Sequence, residues 1–401
     1  MRHFECYRLL TPVCLPLPRI IHSNDNLHME FQLRSTRIVL RALILCTVIS
    51  AASALAQTDS AKLFEREDRY ILSEVASHFF RGSVLVGIDG KIVFEKAYGI
   101  GEEEWGANNS VHTKFRIASL SKQFTAACIL LLQERGRLNV HDPISRYLSG
   151  LPVGWQSISV HQLLTHTSGV PDYTRSPEFG RIKRTGATPQ QMIDLVADKP
   201  LDFTPGTNWS YSNTGYILLG MIIERISGLS YNEFLKKNIL DPLGMSDSGY
   251  DRETDIIKER ASGYEEKDGR LENADFFDMS VPYAAGGIYS TVEDMFRWNE
   301  ALAEKGKLLS ADSLKQMFTE YPEATHEGQH YGYGVVISRL KFDRLLYYHG
   351  GGLDGFSSSI QRYPNDGVCI IILSNFDSSK PWELGDHIAS DVFNQSLSTG
   401  R

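Results

Sequence analysis

Cysteine is scarce in this chain, with five in 401 residues, and three of them fall in the first 56. The two that remain, Cys128 and Cys369, sit singly in apolar runs, where a free thiol behaves as a small hydrophobe. A disulfide framework is not indicated. Runs rich in Lys or Arg and zinc-finger spacing are also lacking, and the formal charge is −8, so the composition points away from nucleic acid as a partner. There is no G-x-S-x-G anywhere, which removes the strand-to-helix nucleophile turn of the α/β-hydrolases. Internal repeats and low-complexity linkers are missing as well. What is present is ordinary globular material: 42% hydrophobic and 22% charged residues, in a chain long enough for a sizeable core and two lobes.

Near the N-terminus, Arg34, Arg37 and Arg41 precede the run ALILCTVISAASALA, which ends in Ala54-Leu55-Ala56 before Gln57. A basic region, a short apolar stretch and a small-x-small end make up a secretory signal peptide. The run is too short and too rich in small residues for a membrane span. Its basic region begins just after Met29, so residues 1–28 are expected to lie upstream of the true start. Cleavage after Ala56 would remove six Arg and three acids, leaving 35 basic and 46 acidic residues and a net charge of −11. The expectation is an exported protein, periplasmic or extracellular, with no stable membrane insertion after cleavage.

Strand patterns lie at the two ends of the remaining chain. Ser83 to Tyr98 alternates around the turn pair Asp89-Gly90. YGYGVVISRL, RLLYYHGG, FSSSIQRY and GVCIIILSN follow from Tyr331 onward. Between these ends the signals are helical: Ser121 to Arg135 before Gly136, a capping box at Ser159-Val-His-Gln162, Tyr216 to Ile226 before Gly228, and a helix opened by Ser290-Thr-Val-Glu293. This predicts an α+β fold in which one antiparallel sheet, built from N- and C-terminal segments and flanked by helices, is interrupted by a mostly helical inserted lobe, with the site in the cleft between lobes.

Two motifs compete for the chemistry. His326-Glu327-Gly328-Gln329-His330 matches H-E-x-x-H, which holds zinc when a helix puts both histidines on one face. Here Pro322, the central Gly328 and the strand-like Tyr331-Gly-Tyr-Gly334 deny it a helix, and a surface loop is expected. The stronger candidate is Ser119-Leu-Ser-Lys122, opening the first long helix. Three-residue spacing puts the Lys amine one turn from the Ser hydroxyl. If burial keeps that amine unprotonated, it can take the Ser proton. Ser338-Arg-Leu-Lys341 has the same spacing in a strand pattern, where positions three apart face opposite ways. Trp209-Ser-Tyr211-Ser-Asn213-Thr-Gly215 adds a phenol that can relay a proton and an amide that can both donate and accept. Tyr348-His349-Gly350-Gly351-Gly352 adds a glycine-rich strand edge able to offer a backbone N–H to an oxyanion. His166, near Ser168, is a rival base, though its place at the end of a capped helix reads as structural.

These three elements, in this order, resemble the penicillin-recognising serine enzymes of the class C β-lactamase type, together with Leu163-Leu-Thr-His-Thr-Ser-Gly169, Asp241-Pro-Leu-Gly-Met245 and Ala285-Gly-Gly287. The resemblance covers most of residues 70–376. It implies an α/β lobe (57–118 and 283–401) around a helical lobe (119–282), no metal or other cofactor, and an acyl-enzyme on a small-molecule or peptide substrate. Ser119 would be the nucleophile, Lys122 and Tyr211 would share acid/base duty, and Asn213 would position the acyl side chain. The N–H groups of Ser119 and Gly352 would form the oxyanion hole. His349 and Gly351 stand where the family's lactamases usually carry Lys-Thr-Gly, so His349 would contact a substrate carboxylate with an imidazole whose ordinary pKa is about 6.5. Histidine there is known in the family's carboxypeptidases and esterases. The implied activity is a hydrolase of esters, amides or D-residue peptides. A β-lactamase and a penicillin-binding sensor with little turnover are the alternatives.

Overall fold

The computed structural model describes residues 62–77, 80–303 and 306–398. The expected signal peptide and its cleavage site lie outside the described residues. Leu63–Arg401 form one compact unit, to which everything below belongs. Among the described residues no helix is long and apolar enough to cross a membrane.

The unit is organised by an eight-stranded antiparallel sheet. Its strands are β1 (Gly82–Ile88) and β2 (Lys91–Tyr98), then β3 (Thr325–His326), β4 (Gln329–Tyr331) and β5 (Val336–Ser338). It is completed by β6 (Leu346–Leu353), β7 (Phe356–Tyr363) and β8 (Val368–Ser374). The spatial order is β3-β4-β5-β6-β7-β8-β1-β2. The N-terminal hairpin therefore docks on the last strand, with Val84 opposite Ile372 and Val86 opposite Ile370. Asp89 and Gly90 both take positive φ, 50° and 72°, the turn geometry that matches strand twist.

Why VCIIIL is apolar at every position follows from where β8 runs. Successive side chains point to opposite faces, and both faces are covered. Val368, Ile370 and Ile372 pack with Val84 and Val86 under helix α1 (62–76) and the C-terminal helix α6 (Pro381–Ser398). Cys369, Ile371 and Leu373 pack on the other side. There they join the first long helix, α2 (Ser121–Glu134), and helix α5 (Val292–Ala303). Each such side chain, fully buried, stabilises the fold by about 1.5–3 kcal/mol.

Helix α3 (Val160–Leu164) carries the expected capping box. Helix α4 (Asn213–Ser227) starts three residues before its apolar run and ends on left-handed Gly228 at φ 74°. One cap is corrected. Ser290 is the last residue of a strand paired with Phe115–Arg116, and its hydroxyl meets Ser248 Oγ at 2.7 Å. The cap of α5 is Thr291, whose Oγ1 accepts from Asp294 N at 3.2 Å.

The H-E-x-x-H stretch is a two-residue hairpin. Thr325 pairs with His330 and His326 with Gln329, while Glu327 and Gly328 turn at φ 51° and 75°. Adjacent cross-strand pairs lie on opposite faces of the ribbon, so the two histidines point apart and cannot share a metal as they would on a helix.

Candidate active site

Ala118–Leu120 forms a single 3₁₀ turn that runs straight into α2, presenting Ser119 at the helix N-terminus. Ala118 has φ 48°, a left-handed conformation that an alanine holds only when its neighbours enforce it. The enforcing contacts are on Ile117, whose N–H donates to Ile288 O at 3.0 Å and whose carbonyl accepts from Ser358 Oγ at 2.9 Å. Gly351 of β6 lies directly against this turn. A Cβ there would fall 2.4 Å from Ile117 O and 3.0 Å from Ser119 N, so only glycine lets the strand edge reach the serine.

One turn into α2, Lys122 is fully buried. Its Nζ lies 3.1 Å from Ser119 Oγ, 2.8 Å from Asn213 Oδ1 and 2.8 Å from Ala285 O. Burial depresses its pKa to about 7, against the opposing pull of the Asp172 carboxylate. A neutral amine has two N–H donors and one lone pair. The two carbonyl oxygens can only accept, so they use both donors and leave the lone pair for the Ser119 hydroxyl. The amide orientation is set by Asp172, whose Oδ2 accepts from Asn213 Nδ2 at 3.0 Å, turning Oδ1 towards the lysine. Asp172 is buried and caps its own turn by accepting from Thr174 N. Ala285 is brought in by close helix packing, since a Cβ on Gly220 of α4 would lie 2.4 Å from Tyr283 Cε1.

The Tyr211 ring lies over the lysine, its centroid 4.8 Å from Nζ. Burial pushes the phenol pKa above its ordinary value, while a hydrogen bond with Ser119 opposes the rise. The phenol thus holds its proton at a pH where the Lys122 amine gives one up. His166 supports it from behind, with ring centroids 4.3 Å apart. His166 Nδ1 accepts from Ser212 N at 3.1 Å. Burial holds that imidazole neutral, well below its usual pKa. It props the Tyr211 segment and has no part in the Ser119–Lys122 contact.

The structure thus brings Ser119, Lys122, Tyr211 and Asn213 together and lays Gly351 and Gly352 beside them. His349 differs from expectation. Its Nδ1 lies 2.6 Å from Gly350 O, which can only accept, so Nδ1 carries the proton. Its Nε2 then accepts from Tyr331 OH at 2.8 Å. The ring is buried, and burial together with the Lys122 charge lowers its pKa to about 4. The ring therefore stays neutral well below its ordinary value of about 6.5, and no ring nitrogen is left for a carboxylate.

Ser119, Asn213 and Gly352 open on a cavity of about 210 Å³, walled on its apolar side by Tyr173, Phe179, Phe277 and Leu353. Asp172, the Ala285 carbonyl and these walls were not singled out from the sequence. The one local signal for Asp172 is its place after Val170-Pro171, where an acidic residue commonly caps a turn.

Known proteins are similar to this chain over most of its length. The Beta-lactamase family model matches residues 68–391. Penicillin-binding protein 4* of Bacillus subtilis (strain 168) is 32% identical over 320 residues, covering 76% of this chain and 70% of its own. The D-amino acid amidase of Ochrobactrum anthropi SV3, solved with D-phenylalanine, superposes with a TM-score of 0.74 at 26% identity, covering 83% of this chain and 99% of the amidase. A penicillin binding protein from Bacillus halodurans superposes with a TM-score of 0.70 at 27% identity, covering 82% of this chain and 98% of its own. With the family model spanning the sheet and the cleft together, the chain belongs to the Beta-lactamase family of serine hydrolases, in the fold shared by penicillin-binding proteins and D-amino acid amidases.

Proposed function

We propose that this chain hydrolyses uncharged esters, amides or D-residue peptides through an acyl-enzyme on Ser119. The observation that carries the reading is the buried Lys122 amine, with a pKa near 7 and its lone pair left for Ser119 Oγ at 3.1 Å. Ser119 Oγ adds to the substrate carbonyl carbon as its proton passes to Lys122 Nζ. The oxyanion is received by the N–H groups of Ser119 and Gly352. On collapse, Tyr211 gives its proton to the leaving alkoxide or amine and is reprotonated from the Lys122 ammonium. Water then attacks the ester on Ser119, with Lys122 again taking the proton, and the acid product leaves with the serine restored.

Substrate preference is supported by what lines the cavity. The aromatic walls suit an apolar acyl or side-chain group, as the D-phenylalanine-bound amidase illustrates for its own site. With His349 turned to Tyr331 and neutral, a lactam carboxylate lacks the cation that family lactamases offer it. An ammonium about 4 Å from a carboxylate is worth ~4 kcal/mol at an effective dielectric of 20, before desolvation. Export to the periplasm or outside the cell belongs to the same reading and rests on the signal-peptide pattern of residues 29–56.

Peptide mapping after treatment with a fluorophosphonate probe tests the assignment, with a panel of p-nitrophenyl esters, D-amino acid amides and a chromogenic cephalosporin testing the substrate class. Ser119 should carry the label, and neutral esters or amides should turn over well ahead of the cephalosporin. Labelling undiminished in Ser119→Ala would end the proposal.

A further inference from the structure

On the sheet face covered by α1 and α6, remote from the chemistry above, three ligand-type side chains converge. His387 and Asp391 stand four residues apart on α6, so they share one face of that helix. Opposite them on α1, the Glu67 side chain has no exposed surface, and neither carboxylate oxygen has a hydrogen-bond partner. Glu67 Oε2 lies 3.5 Å from His387 Nε2, and Asp391 Oδ2 lies 3.8 Å from the same nitrogen. One donor atom from each residue falls within 4.8 Å of the others.

We propose that Glu67, His387 and Asp391 form a divalent-metal site, suited to zinc, that ties the first helix to the last. Zinc bonds of ~2.1 Å in tetrahedral geometry set donor atoms about 3.4 Å apart, close to the two spans measured to His387 Nε2. One imidazole and two carboxylates are a donor set that zinc accepts, with water completing the shell. The donors are also held from outside. Tyr70 stacks on the His387 ring at 3.8 Å and 20°, and Arg66 Nη2 reaches Asp391 Oδ2 at 2.5 Å. Arg66 Nε stays 3.6 Å from Glu67 Oε1, too long for a hydrogen bond, and the neighbouring Asp391 carboxyl can bond to Glu67 only through a shared proton, so the ionised carboxylate has no directed partner. Leaving such a group uncompensated is expensive. A cation between the three donors, or a proton on Glu67, would relieve it. The His387 side chain is 37% exposed, so the cluster lies at the protein surface.

The site would staple the two terminal helices over the sheet and affect stability without touching Ser119 chemistry. The test uses the tag-free full chain, stripped with chelator and titrated with zinc by calorimetry and by thermal melting. One zinc per chain is expected, with a rise in Tm. His387→Ala and Glu67→Gln should each weaken binding at least tenfold and remove the Tm response. Neutral-ester hydrolysis should agree within twofold between stripped and loaded wild type. The His326→Ala, His330→Ala double variant should bind zinc as the wild type does. Absence of saturable binding, or equal zinc affinity in wild type and His387→Ala, would overturn the proposal. So would a Glu67→Gln variant that melts above stripped wild type while zinc moves neither, because a proton would then be all that the buried acid holds.

Discussion

Asp172→Asn removes the charge from the site while keeping the hydrogen bond from Asn213 Nδ2, at the cost of the one from Thr174 N. The Asp172 carboxylate opposes the desolvation of Lys122, and it acts across the Asn213 amide, with 3.0 Å on one side and 2.8 Å on the other. The two charges are then about 8 Å apart or less, which at an effective dielectric of 20 gives on the order of 2 kcal/mol, or ~1.5 pK units, before screening by solvent in the cleft. Asparagine still offers an oxygen to Asn213 Nδ2, so the amide keeps its orientation. Lys122 works as a base only when neutral, so kcat/KM rises with pH through its pKa near 7. Removing the carboxylate lowers that pKa and moves the acid limb to lower pH, by about one unit. At pH 6 the variant should keep a several-fold larger share of its plateau rate than wild type, while the plateau itself falls only a few-fold because the base is weaker. The assay is kcat/KM for a neutral p-nitrophenyl ester between pH 5 and 9. An acid limb that stays in place or moves upward would refute the assignment of that limb to Lys122.

Lys122→Met should abolish hydrolysis yet stabilise the fold. A folded pKa near 7 against 10.5 unfolded means that the unfolded chain binds the extra proton. The resulting penalty, up to about 5 kcal/mol, is full below pH 7 and disappears as pH rises to the unfolded value. Two carbonyls left unpaired offset part of the gain, so denaturant unfolding at pH 7 should show roughly 1–3 kcal/mol of added stability, shrinking towards pH 10. Gly351→Ala should lower kcat at least tenfold with an unchanged far-UV spectrum, because its Cβ would push β6 off the Ser119 turn. Excess chelator, and the His326→Ala, His330→Ala double variant, should each leave ester hydrolysis within twofold. His349→Lys should fail to improve penicillin acylation and should lose roughly 3 kcal/mol of stability, since the ammonium would be buried against Tyr331 rather than projected into the cleft.

Periodicity and spacing were enough to read much of this molecule. The strands around Asp89-Gly90, the apolar run of β8, the stop at Gly228 and the box at Ser159 are local patterns, and each appears where its residues place it. The Ser119–Lys122 spacing is likewise a property of one helix turn, so the short contact between them was legible before any packing was known. Two local errors came from the same source. Ser290 satisfies a capping pattern, but pairing with Phe115 makes it a strand residue and passes the cap to Thr291. His349 carries the ordinary imidazole value in isolation, but the strand that bears it folds it under Tyr331.

What only the tertiary structure decided is how charge is distributed in the cleft. Asp172 and Asn213 are 41 residues apart and Lys122 and Ala285 are 163 apart, and nothing in either neighbourhood signals the other. The sequence names a lysine one turn from a serine. Whether that lysine is a permanent cation or a base depends on how much water it loses and which oxygens it meets, and both are set by segments distant in the chain. Spacing along a helix is a short-range quantity that residues carry with them. Desolvation is a sum over everything that packs around a group, so it exists only once the chain has folded.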